Sequence, residues 1–190
     1  MAKVADLLAN GPTYSFEFFP PKTDAAELAL FDTILELEPL HPSFASVTYG
    51  AGGSTRERTR DLVTWVKRDT SITPMAHLTC IGHTKSEIDE IMATYLEHGV
   101  DNILALGGDP STDTSQISSS DFTYAMDLVK HLRTTAPLSI GVAAHPEVHP
   151  RSTDRQSDRR HLAEKLRLAD FAITQFFFEV EHYLRLVEEL

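Results

Sequence analysis

Six strand-like segments of the chain carry, or lead into, polar side chains that could do chemistry, and the segments start at intervals of roughly 30 residues. The carboxyl and imidazole groups among them can hold or move a proton near neutral pH, as general acid and base catalysis requires. In chain order the polar side chains are Glu17, Thr48, His77, Asp109, the pair His145 and His149, and Gln175. This pattern predicts an enzyme.

Parallel β-strands must position these side chains. The strand-like segments are residues 14–19, 44–50, 75–80, 102–106, 138–144 and 171–178. An amphipathic stretch long enough for one helix separates each segment from the next, and a repeated βα unit requires parallel strands. Functional groups of parallel sheets lie at the carboxyl ends of the strands, which is where these polar residues fall.

Start signals and apolar stripes predict the helices. Thr84 lies three residues before Glu87, as in a capping box, and Ser54 has the same relation to Glu57. Gly99 is the expected stop of the helix that follows Thr84. Stripes that pack on the sheet are predicted at Leu28, Phe31 and Leu35, at Ile88, Ile91, Met92, Tyr95 and Leu96, and at Ala125, Leu128, Val129 and Leu132. Residues 110–120 and 146–157 are polar and are predicted to be loops.

The composition limits the class of protein. The 190 residues are enough for a sizeable core in a single domain. With 17 Lys and Arg against 28 Asp and Glu, the formal charge is -11, which argues against binding to nucleic acid or to a membrane surface. Cys80 is the only cysteine, so an internal disulfide is excluded, and no apolar run has the length of a signal peptide core or a membrane span. We expect a cytoplasmic protein.

Several other kinds of site are disfavoured. The nine histidines lack the His and Cys spacings that are typical of metal sites, so no metal is expected. No glycine-rich motif of the Rossmann dinucleotide fold follows a strand. Serine and cysteine nucleophile motifs are also absent.

Six segments resemble, in order and at matching intervals, the signature segments of the methylenetetrahydrofolate reductase family. They are residues 15–22 (SFEFFPPK), 46–54 (SVTYGAGGS), 77–80 (HLTC), 108–110 (GDP), 146–150 (PEVHP) and 173–178 (ITQFFF). The resemblance implies an α/β fold, a TIM-type (β/α)8 barrel that binds FAD, takes hydride from NADH or NADPH, and reduces 5,10-methylenetetrahydrofolate to 5-methyltetrahydrofolate. Since such a barrel has eight βα units, residues 1–190 are expected to form a single partial barrel domain of about six.

The resemblance assigns the role of general acid to Glu17. Opening the imidazolidine ring of methylenetetrahydrofolate to an electrophilic iminium requires a proton on a ring nitrogen. The neighbouring Phe16, Phe18 and Phe19 are expected to limit the access of solvent to the carboxyl group. The alternative is a structural carboxylate paired with Lys22.

The resemblance also assigns residues to the cofactor and the substrates. Flavin contacts are implied at Tyr49, Ala51, His77, Gly108, Asp109, Tyr124, His149, Asp158, His161 and Lys165. Substrate contacts, to the folate or the nicotinamide, are implied at Thr48, Asp109 and Gln175. Lys165 suits a pyrophosphate, and the charge of Asp109 could tune the reduction potential of a flavin. Structural roles remain open as well: Thr48 and Tyr49 as ordinary strand residues, Asp109 in a turn, and Gln175 in a hydrogen bond between strands.

Two positions depart from the family. Gly107 stands where the family usually has an arginine that contacts the flavin, so weak FAD binding is expected, and His145 stands where bacterial members commonly have tyrosine. Gly107 leaves open a reductase that passes hydride directly from nicotinamide to folate without flavin. The partial barrel leaves open a non-catalytic folate-binding or interaction protein. The unpaired strand edges of a partial barrel favour a homo-oligomer.

Overall fold

Six parallel strands alternate with helices in the computed structural model of the chain, which describes residues 2–49, 56–108 and 120–190. The strands are β1 Ser15–Phe18, β2 Phe44–Val47, β3 Pro74–Thr79, β4 Asn102–Leu106, β5 Ser139–Ala144 and β6 Phe171–Thr174. The helices are α1 Val4–Ala9, α2 Asp24–Leu37, α3 Arg56–Asp69, α4 Lys85–Glu97, α5 Ala125–Thr135, α6 Arg155–Leu166 and α7 Val180–Glu188, with a 3-10 turn at Glu38–Leu40. Each strand pairs in parallel with the next in chain order, and the sheet curls into a half-barrel. This confirms the predicted βα repeat and partial barrel.

The curled sheet has two apolar layers because successive side chains of a strand point to opposite faces. The convex face carries the larger cluster, in which side chains of all helices from α2 to α5 pack on the strands. The concave face carries a smaller cluster of Val4, Phe44, Met75, Leu104 and Phe171. Strand residues two or four positions after these, towards the carboxyl ends, therefore face the same concave side.

Helix α1 closes the amino end of the concave face, and no pattern in the sequence predicted it. The first amides of a helix have no acceptor within the helix. In α1 the N–H of Val4 donates to Oδ1 of Asn102 at 2.8 Å, and the N–H of Ala5 donates to Oγ of Ser139 at 3.2 Å. Val4 is fully buried in the concave cluster. The carboxyl end of the half-barrel is consequently the end left for ligands.

The helix signals after β3 are confirmed. Thr84 Oγ1 accepts from the N–H of Glu87 at 3.3 Å, while Oε2 of Glu87 accepts from the N–H of Thr84 at 2.7 Å, so the capping box is complete. Gly99 adopts a φ of 70°, the left-handed conformation expected of a helix stop. Both stripes in the following helices contribute to the core: Ile88, Met92 and Tyr95 of α4, and Leu128, Val129 and Leu132 of α5, are buried. The capping box at Ser54 lies outside the described residues.

The stripe predicted for α2 is confirmed at Phe31, which packs against the core, and is wrong at Leu28 and Leu35. Leu28 and Leu35 are 66% and 45% exposed, whereas Ile34 is fully buried. The ring of Phe31 stacks on Trp65 of α3, with centroids 4.1 Å apart, and this contact together with Ile34 fixes which side of α2 faces the sheet. Leu28 and Leu35 then lie beyond the edge of the packed face, on the side away from Ile34.

The outer strands of the described sheet are β1 and β6, each of which has one paired edge. Large apolar side chains are exposed beside both of them. They are Tyr14 and Phe19 at β1, and Phe176, Phe178, Tyr183, Leu184 and Val187 after β6. The described sheet therefore has the open edges expected of a partial barrel, and the assignment of residues 1–190 to one domain stays a prediction.

Candidate active site

Glu17 lies at the centre of a small polar cluster on the concave face. Its Oε2 accepts a hydrogen bond from Oγ of Ser46 on β2 at 3.2 Å and lies 3.5 Å from Nε2 of His77 on β3. The pairing of Glu17 with Ser46 in the sheet register brings the two side chains to the same level. Among the described residues the partners of the carboxylate thus come from neighbouring strands, and the alternative pairing with Lys22 is not formed.

The shielding of Glu17 by its phenylalanine neighbours is a wrong expectation. Phe18 is buried in the convex layer, and Phe16 packs against the same layer, because residues next to each other in a strand alternate between faces. Phe19 is 71% exposed. The Glu17 side chain itself is 52% exposed, so its carboxyl group is open to the carboxyl end of the half-barrel.

His77 is the buried member of the cluster. Its side chain is 8% exposed, and its Nε2 has no hydrogen-bond partner among the described residues, since 3.5 Å to Glu17 is beyond good hydrogen-bond geometry. Burial lowers the pKa of His77, and the charge of Glu17 opposes that shift only in part. A neutral imidazole can donate to a carboxylate or accept from a carboxylic acid, according to its tautomer. His77 can therefore serve either protonation state of Glu17.

A second polar cluster lies below Tyr49, at the carboxyl end of β2. The hydroxyl of Tyr49 is 3.0 Å from Nε2 of the fully buried His83, and Nδ1 of His83 is 4.0 Å from Oε2 of Glu87. Burial raises the pKa of Tyr49 to about 12, so its hydroxyl keeps its proton. Burial, and then the positive charge of Arg56, lower the pKa of His83 to about 4. The nearby carboxylate favours a proton on Nδ1, which leaves Nε2 to accept from Tyr49.

Thr48 and Tyr49 extend β2 towards this end. The N–H of Thr48 donates to the carbonyl of Phe18 at 2.9 Å, and the carbonyl of Thr48 accepts from Oγ1 of Thr59 at 3.2 Å. The backbone of Thr48 is thereby fixed between β1 and α3. Ala51 lies outside the described residues.

The turn after β4 brings bare backbone to the site. Gly108 has a φ of 82°, and a Cβ built there would lie 3.1 Å from Cβ of Thr79, so this position requires glycine. At Gly107 the nearest atom to such a Cβ is Nη2 of Arg151, at 3.7 Å. Asp109 lies outside the described residues.

Basic side chains gather at the carboxyl end of β5. Nζ of Lys165 reaches from α6 to the carbonyl of Ala143 at 2.9 Å, and burial lowers the pKa of Lys165, an effect that the charge of Asp158 partly offsets. The rings of His145 and His149 meet edge to face, with centroids 4.5 Å apart. Burial is also the main cause of the lowered pKa of each histidine. Ammonium and imidazole N–H groups in this arrangement could hold a phosphate-bearing cofactor.

Asp158 organises the loop that carries His149. Its carboxylate accepts from the N–H of His149 at 3.2 Å, from Oγ of Ser152 at 3.1 Å and from Nη1 of Arg159 at 2.6 Å. These bonds occupy the carboxylate, and they fix the shape of the loop that carries His149. A direct flavin contact from Asp158 stays a prediction.

Arg159 is a structural element of the site that the sequence did not reveal. Its buried guanidinium donates to the carbonyls of His145 and Pro146 at 3.0 and 2.7 Å and to Oε2 of Glu189 at 2.8 Å. It thereby fastens the start of the loop to α6 and to the end of α7. The neighbouring Arg160 is exposed, and nothing in the sequence distinguishes the two.

The remaining predicted site residues lie at the periphery. His161 is exposed on α6, one turn before Lys165 and on the same side of the helix. Tyr124 is 69% exposed at the start of α5. Gln175 is exposed just after β6, where its N–H donates to the carbonyl of Ala144 at 2.7 Å. Their ligand contacts stay predictions.

The described residues contain neither a metal-binding cluster nor a membrane-spanning helix. No three His, Cys, Asp or Glu side chains come close enough in residues 2–49, 56–108 and 120–190 to hold a metal ion. In the same residues no helix has both the length and the apolar character needed to cross a membrane.

The fold resembles that of a solved structure. The 4-hydroxy-tetrahydrodipicolinate synthase of Methylacidiphilum fumariolicum SolV superposes with a TM-score of 0.59 over 95% of this chain and 59% of its own, at 12% sequence identity. At that identity the likeness shows the fold and nothing about function.

The sequence decides the family. A family model described as methylenetetrahydrofolate reductase matches residues 3–190, almost the whole chain. The chain belongs to the methylenetetrahydrofolate reductase family. This confirms the resemblance carried by the six short segments.

Curated relatives agree with this assignment. The 5,10-methylenetetrahydrofolate reductases of Buchnera aphidicola (subsp. Schizaphis graminum) and Escherichia coli K12 are 45% and 43% identical over 172 and 174 residues. Each alignment covers 90% of this chain but only 58% and 57% of the relative. Methylenetetrahydrofolate reductase 1 of Schizosaccharomyces pombe is 38% identical over 94% of this chain and 30% of its own. The chain thus spans less than two thirds of the length of these members of the methylenetetrahydrofolate reductase family.

Proposed function

We propose that this chain forms the active-site part of a methylenetetrahydrofolate reductase that reduces 5,10-methylenetetrahydrofolate to 5-methyltetrahydrofolate, with hydride from NADH or NADPH and with bound FAD. Membership of the family supports the proposal. The observation that carries it is the cluster of Glu17, Ser46 and His77, which places a carboxyl group beside a buried neutral imidazole at the ligand end of the half-barrel.

Glu17 would supply the proton that the reaction needs. The methylene carbon of the imidazolidine ring bridges two nitrogens. Protonation of one nitrogen allows its bond to this carbon to break, and the carbon then forms an iminium with the other nitrogen. Hydride then adds to the iminium carbon, so one proton and one hydride convert the bridging methylene to a methyl group and a free N–H. Bound FAD supplies the chemistry that accepts hydride from the nicotinamide and returns it to the folate.

Ser46 and His77 would position the acid. Oγ of Ser46 donates to Oε2 of Glu17, which restricts the carboxyl group to one orientation on the concave face. Nε2 of His77 faces the same oxygen from the other side. Because burial keeps His77 neutral, it adds no positive charge that would hold Glu17 ionised.

Other side chains would hold the cofactor and the folate. Lys165 and His149 suit the phosphates of FAD, since ammonium and imidazole N–H groups donate well to phosphate oxygens. Tyr49 would lie against the same ligand. Thr48, Asp109 and Gln175 are proposed to contact the folate or the nicotinamide on the basis of the family.

The composition and the sheet edges support a proposal about location and assembly. We propose a cytoplasmic location, because Cys80 is the only cysteine of the sequence and is free and buried, which fits a reducing compartment. The exposed apolar side chains beside β1 and β6 favour burial against further protein, and we propose a homo-oligomer.

A flavin-independent reductase is the second candidate, and the glycine at position 107 favours it. A protein of this kind would pass hydride directly from nicotinamide to folate. Purified full-length protein that reduces the folate without visible flavin absorption would establish this candidate.

The test of the main proposal separates two half-reactions in the full-length protein. Glu17→Gln should slow folate reduction by about 10²-fold to 10⁴-fold, the usual range for general acid catalysis, and leave nicotinamide oxidation by an artificial electron acceptor largely intact. Glu36→Gln, at an exposed glutamate of α2, is the matched control and should change neither. Equal loss of both half-reactions in Glu17→Gln would refute the assignment.

A further inference from the structure

Arg151 places a guanidinium group beside Gly107, where the resemblance to the family implies an arginine at the flavin. A Cβ built on Gly107 would lie 3.7 Å from Nη2 of Arg151. The same nitrogen donates to the carbonyl of Gly108 at 3.3 Å. The guanidinium therefore occupies the surface of the turn after β4, although Arg151 belongs to the loop after β5.

The loop that carries Arg151 is held in place by several bonds. The N–H of Arg151 donates to Nδ1 of His149 at 3.0 Å, and the N–H of Ser152 donates to the carbonyl of His149 at 2.9 Å. Asp158 accepts from both the N–H of His149 and the hydroxyl of Ser152. These bonds turn the chain at residues 149–152 back towards β4.

The guanidinium has donor groups to spare. A guanidinium has five N–H donors, and among the described residues the side chain of Arg151 uses them for one hydrogen bond, to the carbonyl of Gly108. Arg151 is exposed, at the same end of the half-barrel as Lys165 and His149. A guanidinium in that setting can donate to the ring carbonyls or the phosphates of a flavin nucleotide.

We infer that Arg151 is a flavin-binding residue that supplies, from the loop after β5, the guanidinium that position 107 lacks. The inference rests on the proposed function, because it takes FAD as the ligand. If Arg151 supplies the guanidinium, the chain binds FAD with the affinity usual for the family, although Gly107 alone predicted weak binding. The inference also means that an arginine introduced at position 107 would meet the positive charge already present on Arg151.

Titration of FAD into the full-length apoprotein, followed by flavin fluorescence, measures the contribution of Arg151. Arg151→Ala should raise the Kd of FAD by about 10-fold to 100-fold, the loss expected for one charge-assisted hydrogen bond. Arg151→Gln keeps a donor for the carbonyl of Gly108 and should also bind FAD weakly, since it lacks the charge. Arg167→Ala, at an exposed arginine at the far end of α6, is the matched control and should leave the Kd unchanged.

A second pair of variants tests the exchange of positions. Gly107→Arg alone should fail to tighten FAD binding, whereas Gly107→Arg combined with Arg151→Ala should restore most of the affinity that Arg151→Ala loses. Thermal unfolding of each apoprotein shows that a changed Kd is not a folding defect. An unchanged Kd in Arg151→Ala, with FAD bound by the parent, would overturn the inference and leave the proposed function standing. Failure of the parent to bind FAD at all would overturn both.

Discussion

Acidification should destabilise the fold through His83, beneath Tyr49. This imidazole is fully buried, and burial and the charge of Arg56 lower its pKa to about 4 from an ordinary value near 6.5. In the unfolded chain His83 takes up a proton below about pH 6.5, whereas in the folded chain it resists until about pH 4. The stability that comes from the neutral imidazole is therefore complete above pH 6.5 and is lost as the pH falls towards 4.

The magnitude follows from the size of that shift. A difference of roughly 2.5 pKa units, at about 1.36 kcal/mol for each unit, gives about 3 kcal/mol between neutral pH and pH 4. Protonation would also convert Nε2 from an acceptor into a donor facing the hydroxyl of Tyr49, 3.0 Å away. The same proton thus disturbs the side of the site assigned to the cofactor.

Urea unfolding at a series of pH values measures the effect. Trp65, the only tryptophan, stacks on Phe31 between α2 and α3, so its fluorescence reports on loss of the packed core. The free energy of unfolding of the parent should fall by about 3 kcal/mol more than that of His83→Gln between about pH 7 and pH 4. His98→Gln, at an exposed histidine that follows α4, should behave as the parent does. Parallel pH curves for the parent and His83→Gln would refute the reasoning.

Three further outcomes are expected. Gly108→Ala places a Cβ 3.1 Å from Thr79 at a position with a positive φ, and it should lower the free energy of unfolding by about 1 to 3 kcal/mol. Gly11→Ala also has a positive φ but no atom near its Cβ, so it should lower the free energy of unfolding by less. Equal losses in the two variants would contradict the steric argument. Asn102→Ala leaves the buried N–H of Val4 in α1 without its acceptor and should lower the free energy of unfolding by about 1 to 3 kcal/mol. Asn10→Ala, at the exposed end of α1, should have little effect. Similar losses of stability in the two variants would contradict the capping role of Asn102. Residues 1–190 expressed alone should scatter light as oligomers and reduce no methylenetetrahydrofolate, because β1 and β6 have open edges; an active monomer of 21.2 kDa would contradict this.

The sequence predicted the order of the elements because periodic patterns are local. All six strands lie within or overlap the expected segments, and the polar residues chosen at their ends include the Glu17 and His77 that the sheet brings together. Ser46 was overlooked, although it lies two residues before Thr48 on the same face of β2. The alternation of strand side chains, applied to Phe16 and Phe18, would also have shown that they leave Glu17 unshielded.

The parts that could not be predicted depend on distant residues. Which side of α2 is buried depends on the stacking of Phe31 on Trp65, a contact between two helices. The role of Arg151 depends on a loop that returns to a turn more than 40 residues earlier in the chain. No local pattern encodes either contact.

The capping of α1 by Asn102 and Ser139 has a consequence for the order of folding. A helix of six residues is not stable by itself, and its acceptors lie 98 and 134 residues further along the chain. Residues 4–9 therefore leave the ribosome before Asn102 and Ser139 have been synthesised, and they remain unstructured until β4 and β5 are made. During that interval the apolar side chains of Phe44 and Met75 lack the cover that Val4 later provides, which leaves them accessible to a chaperone.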